Sequence, residues 1–187
     1  VTGFASLGDI PVGVVATDSS RNEGKLSADA CVKISEFLNI CENPECPVVF
    51  LTDCAGTELS ADDAALIREA SNLIYQVNTI DTDMFSVVYG KAIGGAYTAL
   101  VAPCEYKIAW ETAEIGALES EAAARLLYAD DIKTAKDKDK AAQKLASFYG
   151  GENNSSLVIA QSGYFDNVIE PNLTRSYLIA ALLAHVE

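Results

Sequence analysis

The chain has 187 residues, half of them hydrophobic, and a formal net charge of −14 at neutral pH. This length and apolar content predict a single globular domain spanning residues 1–187, with a sizeable core. The acidic charge argues against nucleic acid and anionic membrane surfaces as partners, because both bind clustered lysine and arginine.

Five cysteines are present, an odd number, and none belongs to a C-x-x-C pair. Free buried thiols in a reducing cytosol explain this usage better than disulfides or zinc, so we expect a cytoplasmic protein without a metal site. We expect no secretory leader, and the start at Val1 rather than Met indicates a trimmed chain or a piece of a longer one. No apolar run approaches the roughly 18 residues of a transmembrane helix, so no direct membrane span is expected.

Strands and helices alternate along the chain. A β-branched strand at Pro11–Ala16 precedes an extended piece at Gly24–Leu26 and a helix that Ser27 caps. The further predicted elements are, in order, a strand at Val48–Thr52, a helix near Ser60–Asn78, a strand at Phe85–Tyr89, a helix at Gly95–Val101, a strand at Tyr106–Trp110, helical segments at Ser120–Tyr128 and Lys133–Tyr149, and a final helix at Thr174–His185. Strands that are apolar without alternation predict an α/β layered fold around a largely parallel sheet.

Between the last helices, Gly150–Ser156 is rich in glycine, asparagine and serine. This composition predicts a flexible surface connection.

The stretch from Val87 to Tyr97 carries the strongest functional signal, because a buried strand runs into Gly94 and Gly95 and a helix follows. Glycine has no Cβ, so the backbone can turn sharply and approach a ligand closely. The first amides of a helix have no intrahelical partner, and the helix dipole adds positive potential there. The pattern predicts a site in which backbone N–H groups hold an oxyanion.

A second strand end supports this interpretation. The apolar run Val48–Thr52 stops at Asp53, and Ala55 and Gly56 follow it in a loop of small residues. Two neighbouring strands that end in such loops can supply converging N–H donors. Asp53 itself is interpreted as a cap of that loop.

Conventional catalytic groups are largely missing from the sequence. His185, the only histidine, lies two residues from the end, and no G-x-S-x-G motif is present. Ala96 follows the glycine pair, so no nucleophile occupies the start of the helix. Glu114, which follows the strand Tyr106–Trp110, is the best acid–base candidate, although it has no visible partner.

Seven motifs in this order resemble one family. They are PVGVVA at Pro11–Ala16, G-x-L-x-x-D-A at Gly24–Ala30, F-L-x-x-C at Phe37–Cys41, P-x-x-x-L-x-D-x-x-G at Pro47–Gly56, K-A-x-G-G-A-Y at Lys91–Tyr97, A-W-x-T-A-E-I at Ala109–Ile115 and G-Y-F-D-N-V-I-E-P-N-L-T-R at Gly163–Arg175. Together they resemble the C-terminal half of the carboxyltransferase subunit of biotin-dependent acyl-CoA carboxylases and decarboxylases, in the crotonase superfamily.

The resemblance implies a crotonase-like (ClpP/crotonase) layered fold of ββα units, with acyl-CoA as substrate and (carboxy)biotin delivered by a carrier protein. Backbone amides of the C-half would polarise the biotin ureido carbonyl. Carried over to this chain, the N–H groups of Gly95 and Ala96 would be the donors. The implied site residues are Gly94, Gly95 and Ala96 as the catalytic turn, and Ala55, Gly56, Tyr97 and Glu114 as biotin-binding residues.

The resemblance also implies partners, namely an N-half carboxyltransferase subunit and a biotin carboxyl carrier protein. The final helix is apolar around most of its circumference, which predicts a homo-oligomer built partly on this helix rather than a helix sunk in its own core.

Two departures from the family pattern lie near the expected site. The loop after Asp53 reads CAGTELSADD, without the usual proline and longer glycine-rich stretch, and Glu111 replaces a common proline.

Two alternative functions stay open: a stand-alone crotonase-type hydratase or isomerase that uses Glu114, and a non-catalytic scaffold subunit.

Overall fold

The computed structural model describes residues 1–42, 46–58 and 63–185, and the strands within this part form one seven-stranded sheet. The strands are β1 (Thr2–Leu7), β2 (Ile10–Ala16), β3 (Val48–Cys54), β4 (Met84–Ile93), β5 (Tyr106–Trp110), β6 (Glu114–Gly116) and β7 (Asn167–Ile169). Their order across the sheet is β1-β2-β3-β4-β5-β7, and β6 pairs with the carboxyl end of β4. Every described pair is parallel except the β1–β2 hairpin, which confirms the predicted, largely parallel α/β sheet.

Eight α-helices lie in the described ranges. They are α1 (Ala28–Glu42), α2 (Asp63–Val77), α3 (Gly95–Leu100), α4 (Ser120–Leu127), α5 (Ala129–Thr134), α6 (Lys138–Tyr149), α7 (Ser156–Gln161) and α8 (Thr174–His185). The charged segment predicted as one helix is therefore two, α5 and α6. The predicted start of the second helix at Ser60 lies outside the described residues.

Helices cover both faces of the sheet, which explains the uninterrupted apolar strands. Successive side chains of a strand point to opposite faces. In β3, Val48 and Phe50 pack with the core that α1 and α2 cover, whereas Val49 packs with the core that α8 covers. A strand that is buried on both sides needs an apolar residue at every position.

Helix α8 is mostly engaged with its own sheet. Leu178, Ala181 and Leu182 are buried in a cluster with Phe85, while Leu183 is exposed. Packing within the chain therefore already buries most of the apolar surface of α8, and little of it is left for the predicted subunit interface.

The segment Gly150–Ser156, predicted as a flexible surface connection, is exposed at Gly151–Asn153 but is helical rather than loop-like. Gly150–Asn154 forms a single π-helical turn between α6 and α7. Asn154 and Ser156 are buried, and the Ser156 hydroxyl donates a hydrogen bond to the Glu111 carbonyl at 3.1 Å. The Asn154 and Ser156 side chains donate hydrogen bonds to backbone carbonyls inside the fold. Amino-acid composition cannot distinguish such buried polar residues from polar residues that face solvent.

The five cysteines are free and buried, which confirms the predicted buried thiols. Among the described residues, the helices are too short or too polar for any of them to cross a bilayer.

Candidate active site

A sharp backbone turn joins β4 to α3 at the carboxyl edge of the sheet. Gly94 has φ 53° and ψ −120°, a conformation that only glycine adopts without strain. Its N–H donates a hydrogen bond to the Gly116 carbonyl at 2.8 Å, which ties the turn to the end of β6. The Gly94 amide is therefore a structural donor, and the residue provides the shape of the turn.

The next two amides are the candidate ligand donors. In the described part of the chain, no backbone or side-chain acceptor pairs with the N–H groups of Gly95 and Ala96. Gly95 is half-buried, whereas Ala96 is completely buried, so Gly95 is the first donor that a ligand reaches. Because α3 has only six residues, the positive potential here comes from these local amides more than from a long helix dipole.

The loop after β3 packs beside the turn. Its Ala55 N–H donates to the Glu23 carbonyl at 3.1 Å, and its Gly56 carbonyl accepts from the Leu26 N–H at 2.9 Å. Both loop residues are buried. The Thr57 methyl carbon lies 3.2 Å from the position that a Cβ on Gly95 would take. The two loops therefore meet at Thr57, but the Ala55 N–H is already bonded within the chain, so the convergence of N–H donors from both loops stays a prediction.

A cavity of about 360 Å³ opens next to the turn. This volume lies in the usual range of small-ligand pockets. The lining residues are mainly apolar or backbone: Gly94, Tyr97, Thr98, Ile115, Gly116, Ala117, Ile159 and Tyr164. Such a surface suits the flat face of a ring, with the glycine turn as its polar edge.

Tyr97, like Gly94, is a predicted site residue that lines this cavity. Its ring lies 6.5 Å from that of Phe165, centroid to centroid, in a tilted arrangement. Burial raises the pKa of Tyr97, and the neighbouring Tyr164 adds to the shift. The phenol is therefore neutral at physiological pH and can offer a hydrogen bond as well as an aromatic surface.

Glu114 stands apart from this cavity and lines a neighbouring one with Asn154 and Ser120. Its Oε1 accepts hydrogen bonds from the Ser120 N–H at 2.8 Å, the Ser120 hydroxyl and the Asn154 side-chain amide at 3.3 Å. Burial alone would raise the pKa of Glu114, but these hydrogen bonds and the charge of Lys91 outweigh it and hold the pKa below its ordinary value. A carboxylate that is stabilised in its ionised form is poorly suited to donate a proton.

Asp53 also has a structural position. Its Oδ1 accepts a hydrogen bond from the Lys91 N–H at 2.8 Å, so it binds the neighbouring strand β4 rather than its own loop. The Lys91 ammonium pairs with the Glu119 carboxylate at 2.5 Å, and this hydrogen bond is the main cause that raises the pKa of Lys91. These contacts fix β4 just before the glycine turn.

Of the predicted site residues, Gly94 and Tyr97 line the cavity, and Gly95 and Ala96 continue the same turn. Ala55 and Gly56 lie in the adjoining loop, and Glu114 lines a separate cavity. Sequence reasoning misses several residues of this region, among them Thr57, Asn154, Ile159 and Tyr164. Tyr164 lies within the G-Y-F-D motif, whose pattern gives it no role. Nothing in the composition around Asn154 or Ile159 indicates their positions.

Comparison with known proteins gives a consistent result. Residues 1–187 match the family model described as the carboxyl transferase domain. The chain is 32% identical, over 97% of its length, to the propionyl-CoA carboxylase carboxyltransferase subunit of Haloferax mediterranei. Identity and coverage are the same for the methylmalonyl-CoA carboxyltransferase 12S subunit of Propionibacterium freudenreichii subsp. shermanii. In both cases the chain spans 36% of the relative's own length.

A solved structure is similar over almost the whole chain. It is the transcarboxylase 12S hexamer with methylmalonyl-coenzyme A and methylmalonic acid bound. The TM-score is 0.91 at 31% identity, and the match covers 99% of this chain and 36% of that one. The fold is therefore that of carboxyltransferases with the crotonase-like architecture.

Proposed function

The chain belongs to the carboxyl transferase domain family, and from that premise we propose that it takes part in carboxyl transfer between biotin and an acyl-CoA. In this proposal the chain supplies the half of the active site that binds biotin. One observation carries the proposal: Gly94 lines a cavity of about 360 Å³, and the next amide along the turn, that of Gly95, has no acceptor among the residues that the structure describes.

The residues around this cavity fit a biotin ring system. Biotin has a ureido carbonyl that accepts hydrogen bonds and an apolar bicyclic body. Tyr97 and Ile159 line the cavity with apolar surface, and the Gly95 N–H, which follows the lining residue Gly94 at the turn, offers a donor at its edge. A pyrophosphate or other strongly anionic group fits less well, because none of the described residues that line the cavity is basic.

Carboxybiotin, when bound, supplies an activated carboxyl group. The chain's own contribution is to bind and orient that group and to favour negative charge on the ureido oxygen. Gly95 is the first donor to that oxygen, Ala96 the second, and Gly94 sets the direction of both amides. A preorganised donor of this kind contributes a factor of roughly 10² to 10³ in rate in other enzymes. Tyr97 restricts the ring, and its neutral phenol keeps the pocket uncharged.

The proposal includes partners, because the chain spans about a third of the length of the relatives it matches. We expect an N-half carboxyltransferase segment or subunit to bring the acyl-CoA, and a biotin carboxyl carrier protein to bring the cofactor. The 12S relative is a hexamer at the core of a multienzyme assembly, which supports oligomer formation here. The buried, unpaired thiols suit a cytoplasmic location.

The hydratase alternative receives no support from Glu114. That carboxylate faces a separate cavity, and three hydrogen-bond donors occupy one of its oxygens. The scaffold alternative assigns no use to the Gly94–Gly95 turn or to the apolar cavity that adjoins it.

Reconstitution tests the proposal. The chain, an N-half partner and a biotinylated carrier loaded with labelled carboxyl groups are mixed with acetyl-CoA or propionyl-CoA. We expect label to pass from carrier to acyl-CoA. Absence of transfer to both substrates, with the partner shown to be bound, would overturn the proposal. Gly151→Ala is a matched control, since a Cβ on Gly151 meets no atom within 4 Å and the variant should transfer normally.

A further inference from the structure

Strand β6 holds the glycine turn, yet it is a weakly supported element. It has three residues and pairs with β4 alone, apart from one antiparallel bridge between Glu114 and Ser155. Its last residue, Gly116, provides the carbonyl that accepts the Gly94 N–H at 2.8 Å. The direction of the turn therefore depends on how firmly β6 is held.

Three polar side chains hold this strand in place. Glu114 accepts hydrogen bonds from Ser120 and Asn154, which lie 6 and 40 positions later in the chain. The Asn154 amide also donates to the Leu118 carbonyl at 2.8 Å. The segment from Glu114 to Ser120 is thus fixed at its start, its middle and its end.

The packing around Asn154 is too close to be incidental. Asn154 is only 2% exposed, and its Oδ1 would lie 2.4 Å from a Cβ on Gly116. Likewise, the Ser120 hydroxyl would lie 2.7 Å from a Cβ on Gly150. Glycine occupies both positions where the backbone approaches this cluster. The π-helical turn Gly150–Asn154 delivers Asn154 to it, and such turns are frequent at functional sites.

We propose that Glu114, Ser120 and Asn154 form a positioning cluster that sets the Gly94–Gly95 turn through the Gly116 carbonyl. The proposal rests on the proposed function, because it assigns these residues a purpose in orienting the Gly95 amide. The members do not contact the ligand cavity and are positioning residues. Loss of one member leaves β6 held by its short ladder, so the Gly94 hydrogen bond opens more often and the Gly95 amide loses its fixed direction.

Amide exchange measures this directly. In Glu114→Ala and Asn154→Ala we expect hydrogen exchange at the Gly94 amide to rise about tenfold or more, because exchange reports local opening. Glu114→Gln keeps a neutral side-chain oxygen acceptor of the same shape and should raise the exchange less than Glu114→Ala does. Asn153→Ala is the matched control, since the neighbouring Asn153 is exposed and donates only to the Tyr149 carbonyl.

Transfer kinetics give the second measurement, in the reconstituted system of chain, N-half partner and carrier. We expect kcat of Asn154→Ala to fall about tenfold with little change in KM for the carrier, the pattern of an interaction made in the transition state. Unchanged Gly94 exchange in folded Glu114→Ala and Asn154→Ala overturns the positioning proposal. Faster exchange with unchanged kcat overturns it as well, because the order of the turn then has no effect on transfer.

The two proposals fail in different ways. A wild-type chain that transfers no carboxyl group overturns the proposed function, and the role of the cluster in transfer with it. An active wild type beside variants that leave both exchange and kcat unchanged overturns only the positioning role.

Discussion

The Asp53 carboxylate occupies the space that a side chain on Gly90 would need. A Cβ on Gly90 would lie 2.2 Å from Asp53 Oδ1 and 2.3 Å from its Cγ, well inside contact distance. The same Oδ1 accepts a hydrogen bond from the Lys91 N–H at 2.8 Å. The register between β3 and β4 shifts between Thr52 and Cys54, so the carboxylate joins the two strands where their ladder is irregular.

Replacing Gly90 with alanine should therefore destabilise the chain. The new methyl group forces Asp53 out of its position and breaks the hydrogen bond to Lys91. We expect a loss of about 2–3 kcal/mol in the free energy of unfolding, the usual range for an overpacked site that also loses a hydrogen bond. Urea denaturation followed by circular dichroism measures it.

The double variant Gly90→Ala/Asp53→Ala separates the two causes. Asp53→Ala removes the clash, so the loss in the double variant should be smaller than the sum of the two single losses. Gly151→Ala should change stability by no more than about 0.5 kcal/mol. Strict additivity of the two single losses contradicts the contact.

The sequence predicts β2 to β5 because these central strands are apolar runs, whereas β6 and β7, with three residues each, are too short to show a pattern. β3, β4 and β5 are largely buried, and apolar runs of this length bounded by turn residues are typical of strands that helices cover on both faces. β1 escapes prediction because Phe4 and its neighbours are largely exposed, so it lacks an apolar face. Its hairpin depends on positive φ angles at Gly8 and Asp9, a two-residue signal that is easily overlooked.

Only the part of the site that the local backbone motif defines could be predicted from the sequence. The Gly94–Gly95 turn follows from glycine chemistry between a strand and a helix. The position of Asn154 could not follow, because it contacts Glu114 across 40 positions of the chain. Thr57 and Tyr164 likewise reach the site through tertiary packing.

Gly95 should tolerate little side-chain volume. Gly95→Val places branched carbons against the Thr57 methyl, which already lies 3.2 Å from the Cβ position. The amide then loses its alignment, and we expect carboxyl transfer to fall by about 100-fold, comparable to the loss of one oxyanion donor. Transfer of labelled carboxyl groups, together with a thermal unfolding curve that shows a folded variant, tests this.

Thr57→Ser provides a rescue, because it removes the methyl group and keeps the hydroxyl. Gly95→Ala should reduce transfer less than valine does, and Gly95→Ala/Thr57→Ser should recover part of that loss. Equal transfer by Gly95→Val and the wild type contradicts a role for the Gly95 amide.

The carboxylate of Glu114 should contribute to stability in a pH-dependent way. Its pKa in the folded chain lies below the ordinary value of 4.5. A carboxyl group with a depressed pKa stabilises the fold above its unfolded pKa, and that contribution disappears as the pH falls through the folded pKa. The difference in unfolding free energy between the wild type and Glu114→Gln should therefore be constant near neutrality and shrink below pH 4.5.

Urea titrations at several pH values measure this difference. Glu121→Gln is the control, because Glu121 is exposed and bonds only to the exposed Arg125. Its difference from the wild type should be small at every pH. A Glu114→Gln difference that grows as the pH falls has the wrong sign and contradicts the hydrogen-bonded, ionised carboxylate.

The thiols should resist alkylation in the folded chain. Burial is the main cause that raises the pKa of both Cys31 and Cys41 to about 11, and burial also raises the pKa of Cys104. The thiolate is the reactive form, so at pH 8 only about one molecule in a thousand carries it at Cys31 or Cys41. Mass spectrometry after treatment with iodoacetamide should show Cys31, Cys41 and Cys104 unmodified in the native chain, and five added groups after unfolding in urea, one for each cysteine. Rapid modification of any of the three thiols in the native chain contradicts their burial, and the peptide that carries the label identifies which part of the core has opened.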